Sequence, residues 1–232
     1  MPARAGGAFY GRRKGKGLRA GQEDRLATLL PRLRVPAEGP IDPAALFPGA
    51  DSTTLEIGFG GGEHLSALSR GNPRQGFVGC EPFVNGLAKM LATIEAERLG
   101  NVRLWDGDAA VLLPRLSAAC LDRVFLLYPD PWPKRRQRKR RLVSDAFLST
   151  LARVVKPGGA FRFATDIDDY AGWTLARVLR SPDWRWTAVR PDGWRRPWPG
   201  WPGTRYESKA LREGRTPIYL TFERTGKPNA SE

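Results

Sequence analysis

Four acidic residues, Glu56, Glu81, Asp108 and Asp130, stand at or just past the ends of short apolar, strand-like runs. Asp130 belongs to the densest group. Val124-Phe-Leu-Leu-Tyr128 reads as a buried strand and runs into Pro129-Asp-Pro-Trp-Pro-Lys134. A carboxylate, an indole (Trp132) and an ammonium (Lys134) therefore follow one strand end, where open α/β sheets place ligands, on a backbone stiffened by prolines. Arg135-Arg-Gln-Arg-Lys-Arg-Arg141 comes next and is too dense in cations for an ordinary solvated helix face. Together these groups suit a planar base attached to a phosphate backbone.

The other acids surround a glycine-rich turn. Glu56-x-Gly58-x-Gly60-x-Gly62 joins a strand over 53–57 to a helix over 63–70, and such a turn lets a ligand approach backbone N–H groups closely. The dinucleotide fingerprint fails, because Glu63 stands where its last glycine or alanine belongs. Glu81 ends a strand over 76–80, about twenty residues past the turn, where a carboxylate can accept from both ribose hydroxyls. Asp108 follows a strand over 101–105 and can accept from an adenine amino group. With these acids and no Walker Gly-Lys-Ser/Thr sequence, the pocket fits S-adenosylmethionine better than NAD or ATP.

A methyl on a sulfonium needs mainly an aligned nucleophile. Guanine N7 has a lone pair and no proton to lose, so a chain whose only histidine is His64 can methylate it without a catalytic base. A fixed carboxylate would stabilise the cationic product. Asp130, Asp166 or Glu207 could each accept from the N1–H and 2-amino edge of guanine, and Trp132 could stack on the base.

The elements that must position these groups alternate. Helices are expected over 22–33, 63–70, 83–99, 138–155 and 168–179, and strands at 53–57, 76–80, 101–105, 124–128, 160–164 and 217–222, with Trp184 and Trp186 alternating as on a further strand. Residues 36–48 read as a loop, 156–159 as a tight turn, and Trp194, Trp198 and Trp201 as loop residues that pack or stack on bases. At 232 residues and 41% apolar composition, one core is expected: a basic arm over 1–19, partly disordered and wholly so in its first eight residues, a domain over 20–225, and a frayed tail over 226–232. The arm's Arg12, Arg13 and Lys14 are candidate phosphate contacts. A net charge of +14 points to nucleic acid. No apolar run reaches the ~18 residues of a membrane span, and no apolar stretch follows the basic N-terminus as in a signal peptide. Cys80 and Cys120, far apart, fit a reducing cytosol, and one histidine without a cysteine cluster argues against a metal.

Glu56-Ile-Gly-Phe-Gly-Gly-Gly-Glu-His-Leu65, Gly79-Cys-Glu-Pro-Phe83, Tyr128-Pro-Asp-Pro-Trp-Pro-Lys134, Phe161-Arg-Phe-Ala-Thr-Asp166 and Thr204-Arg-Tyr-Glu207 occur together and in order. The chain thereby resembles the bacterial tRNA (guanine-N7)-methyltransferases, which modify position 46 in the variable loop, over about residues 9–223. The resemblance implies a Rossmann-like class I methyltransferase fold: a mostly parallel seven-stranded sheet with an antiparallel last strand and helices on both faces. It implies that Glu56, Glu81, Asp108 and Asp130 contact the cofactor beside Gly58, Gly60 and Gly62, with Asp130 also the catalytic acid residue. Lys134, Asp166, Thr204, Arg205, Tyr206 and Glu207 would hold the substrate, and Arg136, Arg138, Lys139, Arg140 and Arg141 the RNA. Gln137 departs from the pattern, since many relatives have His there. The expectation is a cytoplasmic tRNA-modifying enzyme, monomer or homodimer, without metal. An RNA or DNA amino-methyltransferase, or a non-catalytic RNA-binding protein on the same fold, are the alternatives.

Overall fold

The computed structural model describes residues 10–190 and 192–226, so the expected disorder of the first eight residues and of the tail beyond Gly226 lies outside the described residues. The chain divides into two compact units, Met1–Ser117 and Ala118–Glu232.

The first unit opens with α1 (Ala20–Thr28), α2 (Leu30–Leu33) and α3 (Pro43–Leu46). The single helix expected over 22–33 is broken because Pro31 has no N–H for the Ala27 carbonyl and instead takes a first-turn position of α2. Within the expected loop over 36–48, Asp42 caps α3, accepting from the Ala44 N–H at 3.0 Å. There follow β1 (Ser52–Ile57), α4 (Glu63–Gly71), β2 (Gln75–Cys80), α5 (Val84–Glu97), β3 (Val102–Trp105) and the short α6 (Ala109–Leu112). β1, β2 and β3 pair in parallel, and their registers align Ile57 with Cys80 and Cys80 with Trp105. The segments that follow each strand therefore emerge along one edge. Leu87, Met90, Leu91 and Ile94 recur at helical spacing on α5 and are buried with Leu65, Phe77 and Leu104, while Leu26, Leu29 and Leu33 pack over the cluster. Each such side chain contributes about 1.5–3 kcal/mol by burial.

The second unit comprises β4 (Leu121–Leu127), α7 (Asp145–Val154), β5 (Val155–Thr165), α8 (Asp168–Val178), β6 (Trp184–Trp186), α9 (Arg205–Arg212) and β7 (Ile218–Arg224). β4 and β5 are parallel, and β7 runs antiparallel to both β5 and β6. The seven strands follow the order β3-β2-β1-β4-β5-β7-β6, a mostly parallel sheet with an antiparallel final strand in the chain. Phe161 anchors an aromatic core, with ring centroids 6.1 Å from Phe147, 6.0 Å from Trp184 and 5.6 Å from Phe222.

Two expectations need correction here. The helix expected over 138–155 is two pieces. Arg135–Arg140 forms a 3₁₀ turn, Arg141 is extended, and α7 begins only after Ser144, whose hydroxyl accepts from the Phe147 N–H at 3.2 Å. Cations at every helical spacing repel one another, and Ser144 offers the first good N-cap. The turn expected over 156–159 lies inside β5, where the register with β4 jumps from Leu121↔Val155 to Arg123↔Ala160. The loop tryptophans pack: Trp198 donates to Thr221 Oγ1 at 2.8 Å and lies 5.3 Å from Trp201, while Trp194 lies 5.4 Å from Trp186.

Candidate active site

In the first unit the turn after β1 is built from backbone that only glycine adopts easily. Gly58, Gly60 and Gly62 have φ of 74°, 57° and 85°. At Gly62 there is also no room, since a Cβ would lie 2.3 Å from Met90 Sδ on α5. Gly86 on α5 is equally constrained, because its Cβ would lie 2.2 Å from the Gly60 carbonyl oxygen. The turn is thus pressed against the start of α5.

Glu81 ties the turn to β2. Its Oε2 accepts from the Gly60 N–H at 2.7 Å and its Oε1 from the Phe83 N–H at 2.9 Å, and the residue is buried. These two bonds set the direction of the carboxylate, each of whose oxygens can accept more than one hydrogen bond. Asp108 is half-buried and caps α6, its Oδ1 accepting from the Ala110 N–H at 2.9 Å. Burial pushes the Cys80 thiol well up, and the charges of Glu81, Asp108 and Asp106 push it further. The thiol therefore stays neutral. Asp106, unnoticed in the sequence, is held by Arg34 at 2.6 Å.

Glu56 has a partner that spacing did not reveal. Its Oε2 lies 2.7 Å from His64 Nδ1, both side chains being buried. The histidine enters the site as a neighbour of Glu56 from the second position of α4. A Glu and a His bracketing a strand–turn–helix junction was the available signal.

The basic arm is docked on the same unit. Arg13 accepts at its carbonyl from the Val84 N–H (3.0 Å), the Gly15 N–H donates to Asn85 Oδ1 (2.7 Å), and Asn85 Nδ2 donates to the Lys16 carbonyl (2.8 Å). Arg12, Arg13 and Lys14 are exposed.

In the second unit β4 gives way to Tyr128, whose N–H donates to the Ala164 carbonyl at 2.8 Å. Tyr128 and Trp132 have φ of 48° and 42°, an unfavourable conformation for bulky residues. Asp130 lies between them, solvent-accessible, yet the burial it does feel raises its carboxyl above the ordinary value. Lys134 is exposed at the start of the 3₁₀ turn. Arg140 sits 4.9 Å over the Trp132 ring.

The arginine run divides. Arg136 and Lys139 are exposed and Arg140 half-buried. Arg138 pairs with Asp169 Oδ1 at 2.7 Å. Arg141, also expected to contact RNA, has a side chain that is 0% exposed and paired with Asp169.

Asp166, after β5, is held by Arg215 Nε at 2.5 Å, an arginine the sequence did not single out. Thr204 caps α9, accepting from the Glu207 N–H at 3.1 Å, and Glu207 Oε2 accepts back from the Thr204 N–H at 3.3 Å, a reciprocal capping box. Glu207 also accepts from Trp201 Nε1 at 2.7 Å and from the Tyr219 hydroxyl, and is buried. Its carboxylate is occupied within the fold, whereas Arg205 and Tyr206 are exposed. Burial, then the nearby Tyr219 and Glu207, raise the Tyr128 phenol, so that group stays protonated. Among the described residues, no group of three or more His, Cys, Asp or Glu could hold a metal ion, and no helix is long and apolar enough to cross a membrane.

The arrangement can orient a nucleoside against fixed carboxylates in one unit and present a carboxylate beside aromatic and cationic groups in the other.

Known proteins place the chain in a family. The family model Methyltransf_4, described as "Putative methyltransferase", matches residues 50–220. A tRNA (guanine-N(7)-)-methyltransferase of Nitrobacter winogradskyi is 56% identical over 221 residues, covering 94% of this chain and 86% of that protein. One of Agrobacterium fabrum is 53% identical over 225 residues, covering 96% and 97%. Among solved structures, the 16S rRNA methyltransferase KamB superposes with a TM-score of 0.57 at 19% identity over 78% of this chain and 91% of that one. A 30S ribosomal A1408 methyltransferase from an uncultured bacterium gives 0.53 at 14% identity over 78% and 92%. Those structural matches establish the methyltransferase fold, and the close sequence relatives establish the rest: the chain belongs to the tRNA (guanine-N(7)-)-methyltransferase family.

Proposed function

We propose that this protein transfers a methyl group from S-adenosylmethionine to N7 of guanine 46 in the variable loop of tRNA, in the cytoplasm. The observation that carries the reading is Glu81, a buried carboxylate held by two backbone N–H groups against the glycine turn. An anion fixed there suits ribose hydroxyls, and Glu56, the acid near the end of the strand before the turn, suits a cationic donor better than a pyrophosphate. The names of the close relatives supply the acceptor.

When bound, S-adenosylmethionine would supply a methyl on a sulfonium sulfur: the C–N bond to N7 would form as the C–S bond breaks, with neutral S-adenosylhomocysteine leaving and the positive charge passing to the purine. Glu81 and Asp108 would hold the ribose and adenine, with Glu56 beside the glycines. Asp130 would stabilise the charge that develops on guanine and touch the cofactor, and no residue needs to remove a proton. Lys134, Asp166, Thr204, Arg205 and Tyr206 would hold the nucleotide, with Glu207 keeping the start of α9 in place. Incubation with labelled cofactor and unmodified tRNA, followed by borohydride and aniline scission at 7-methylguanine, tests this. The label should appear at position 46; recovery in 6-methyladenine would reject the reading.

Two expected results accompany it. Affinity for tRNA should fall by roughly 0.7 to 0.9 log units per log unit of salt for each phosphate neutralised. Replacing exposed Arg136 and Lys139 with alanine should flatten that slope by about one to two units, with S-adenosylhomocysteine binding unaltered; an unchanged slope would remove both from the RNA contact. The second concerns pH. Asp130 works as the carboxylate, and burial raises its pKa, so kcat/KM should fall as pH drops through a value above the ordinary Asp, about 3.9. A profile level down to about pH 4 would contradict that role.

A further inference from the structure

Arg141 belongs to the basic run, yet its side chain is 0% exposed, and that burial calls for an explanation of its own. Its Nε donates to the Pro131 carbonyl at 2.8 Å, a bond to the backbone between Asp130 and Trp132. The guanidinium lies 4.8 Å over Tyr170 and 5.0 Å over Trp173, both on α8. Its ion-pair partner among the described residues is Asp169, also on α8, through Oδ2. The other oxygen of that carboxylate takes Arg138 at 2.7 Å. Trp173 Nε1 adds a bond to the Val143 carbonyl at 2.8 Å, so α8 seats the chain on both sides of Leu142.

We infer that Asp169 is a positioning residue for methyl transfer: it neutralises buried Arg141 and thereby fixes the Pro131 carbonyl, and with it the segment that carries Asp130. The segment needs such a clamp. Tyr128 and Trp132 both hold left-handed backbone, which persists only where surrounding contacts over-determine it. Proline rings restrict the segment without choosing its direction, whereas the Arg141 bond acts at its middle. Because one carboxylate carries both arginines, α8 also holds the RNA-facing turn in step with the catalytic segment. The inference rests on Asp130 being the catalytic carboxylate.

Arg141→Lys and Asp169→Asn test it in the full-length protein. Lysine keeps the charge but lacks the planar fork that reaches Pro131 and Asp169 together. Both variants should lose roughly 10- to 100-fold in kcat, since a displacement of about 1 Å has that effect. In Arg141→Lys, KM for tRNA, its salt slope and the affinity for S-adenosylhomocysteine should stay within about twofold of wild type; Asp169→Asn also releases Arg138, so there only the S-adenosylhomocysteine affinity should stay within that range. Loss confined to KM, with a shallower salt slope, would overturn the inference and make Arg141 a phosphate contact. Wild-type kcat in both variants would overturn it as well. Should Arg141→Lys fail to bind S-adenosylhomocysteine, the milder Asp169→Asn decides; loss of that binding in both would mean a role in holding the fold only. Failure of wild-type enzyme to methylate N7 would instead remove the functional reading itself.

Discussion

Asp130→Ala should lower kcat for methyl transfer to tRNA by about 10²–10³-fold, the scale expected when a group aimed at developing charge is removed. N7 of guanine becomes positively charged as it accepts the methyl, and the nearby carboxylate interacts more strongly with that cation than with the neutral ground state. The effect therefore falls on kcat. Asp130 is solvent-accessible, so its removal leaves no buried partner stranded and should shift Tm little. Asp130→Asn separates charge from shape: it keeps an acceptor oxygen but not the charge, and should retain only a small part of the rate. Single-turnover transfer with labelled cofactor, alongside tRNA binding by filter retention, reads both quantities. Loss of tRNA binding in step with rate would make Asp130 an anchor for the RNA instead, and an unimpaired rate would remove it from the reaction.

The second large effect is expected at Glu81. Glu81→Ala should weaken S-adenosylhomocysteine binding by about 100-fold or more, because two hydrogen bonds from ribose hydroxyls to a charged acceptor are lost at about 1.5–3 kcal/mol each. It should also destabilise the protein. The Gly60 N–H loses its acceptor in a buried setting, at about 1–3 kcal/mol, and the half-buried Phe83 N–H loses its acceptor at a smaller cost. A chain of this length responds with a fall in Tm of about 2–4 °C per kcal/mol. Calorimetric titration and thermal melting give the two numbers separately. Glu81→Gln is the sharper variant: the amide oxygen can serve one of the two N–H groups while its NH₂ opposes the other. Undiminished S-adenosylhomocysteine affinity in Glu81→Gln would exclude a direct ribose contact.

Much of the frame is legible in the sequence. The strand, glycine turn and helix from Ser52 to Gly71 were readable because each signal is local: an apolar run, glycines where φ is positive, and a helix period. The acids that follow β2 and β3 were readable for the same reason, since parallel strands in register deliver their downstream segments to one edge. Less was readable where like residues crowd together. Nothing in Arg135-Arg-Gln-Arg-Lys-Arg-Arg141 distinguishes the arginine that is buried from those that face solvent. Helical spacing also suggested one long helix through that run, whereas charge repulsion and the Ser144 cap place the start of α7 at Asp145.

By itself, the sequence determined the family, the fold class and the edge at which chemistry is expected, because those depend on periodicity and on residues adjacent in the chain. Tertiary structure alone decided what each charged group spends its hydrogen bonds on. Glu56 meets His64, Asp166 meets Arg215, Glu207 meets Trp201 and Tyr219, and Arg141 meets Asp169. Some of these partners lie 28 or 49 residues apart in the chain. A carboxylate's role depends on which partners the packed elements bring within about 3 Å of it, and no local pattern carries that information.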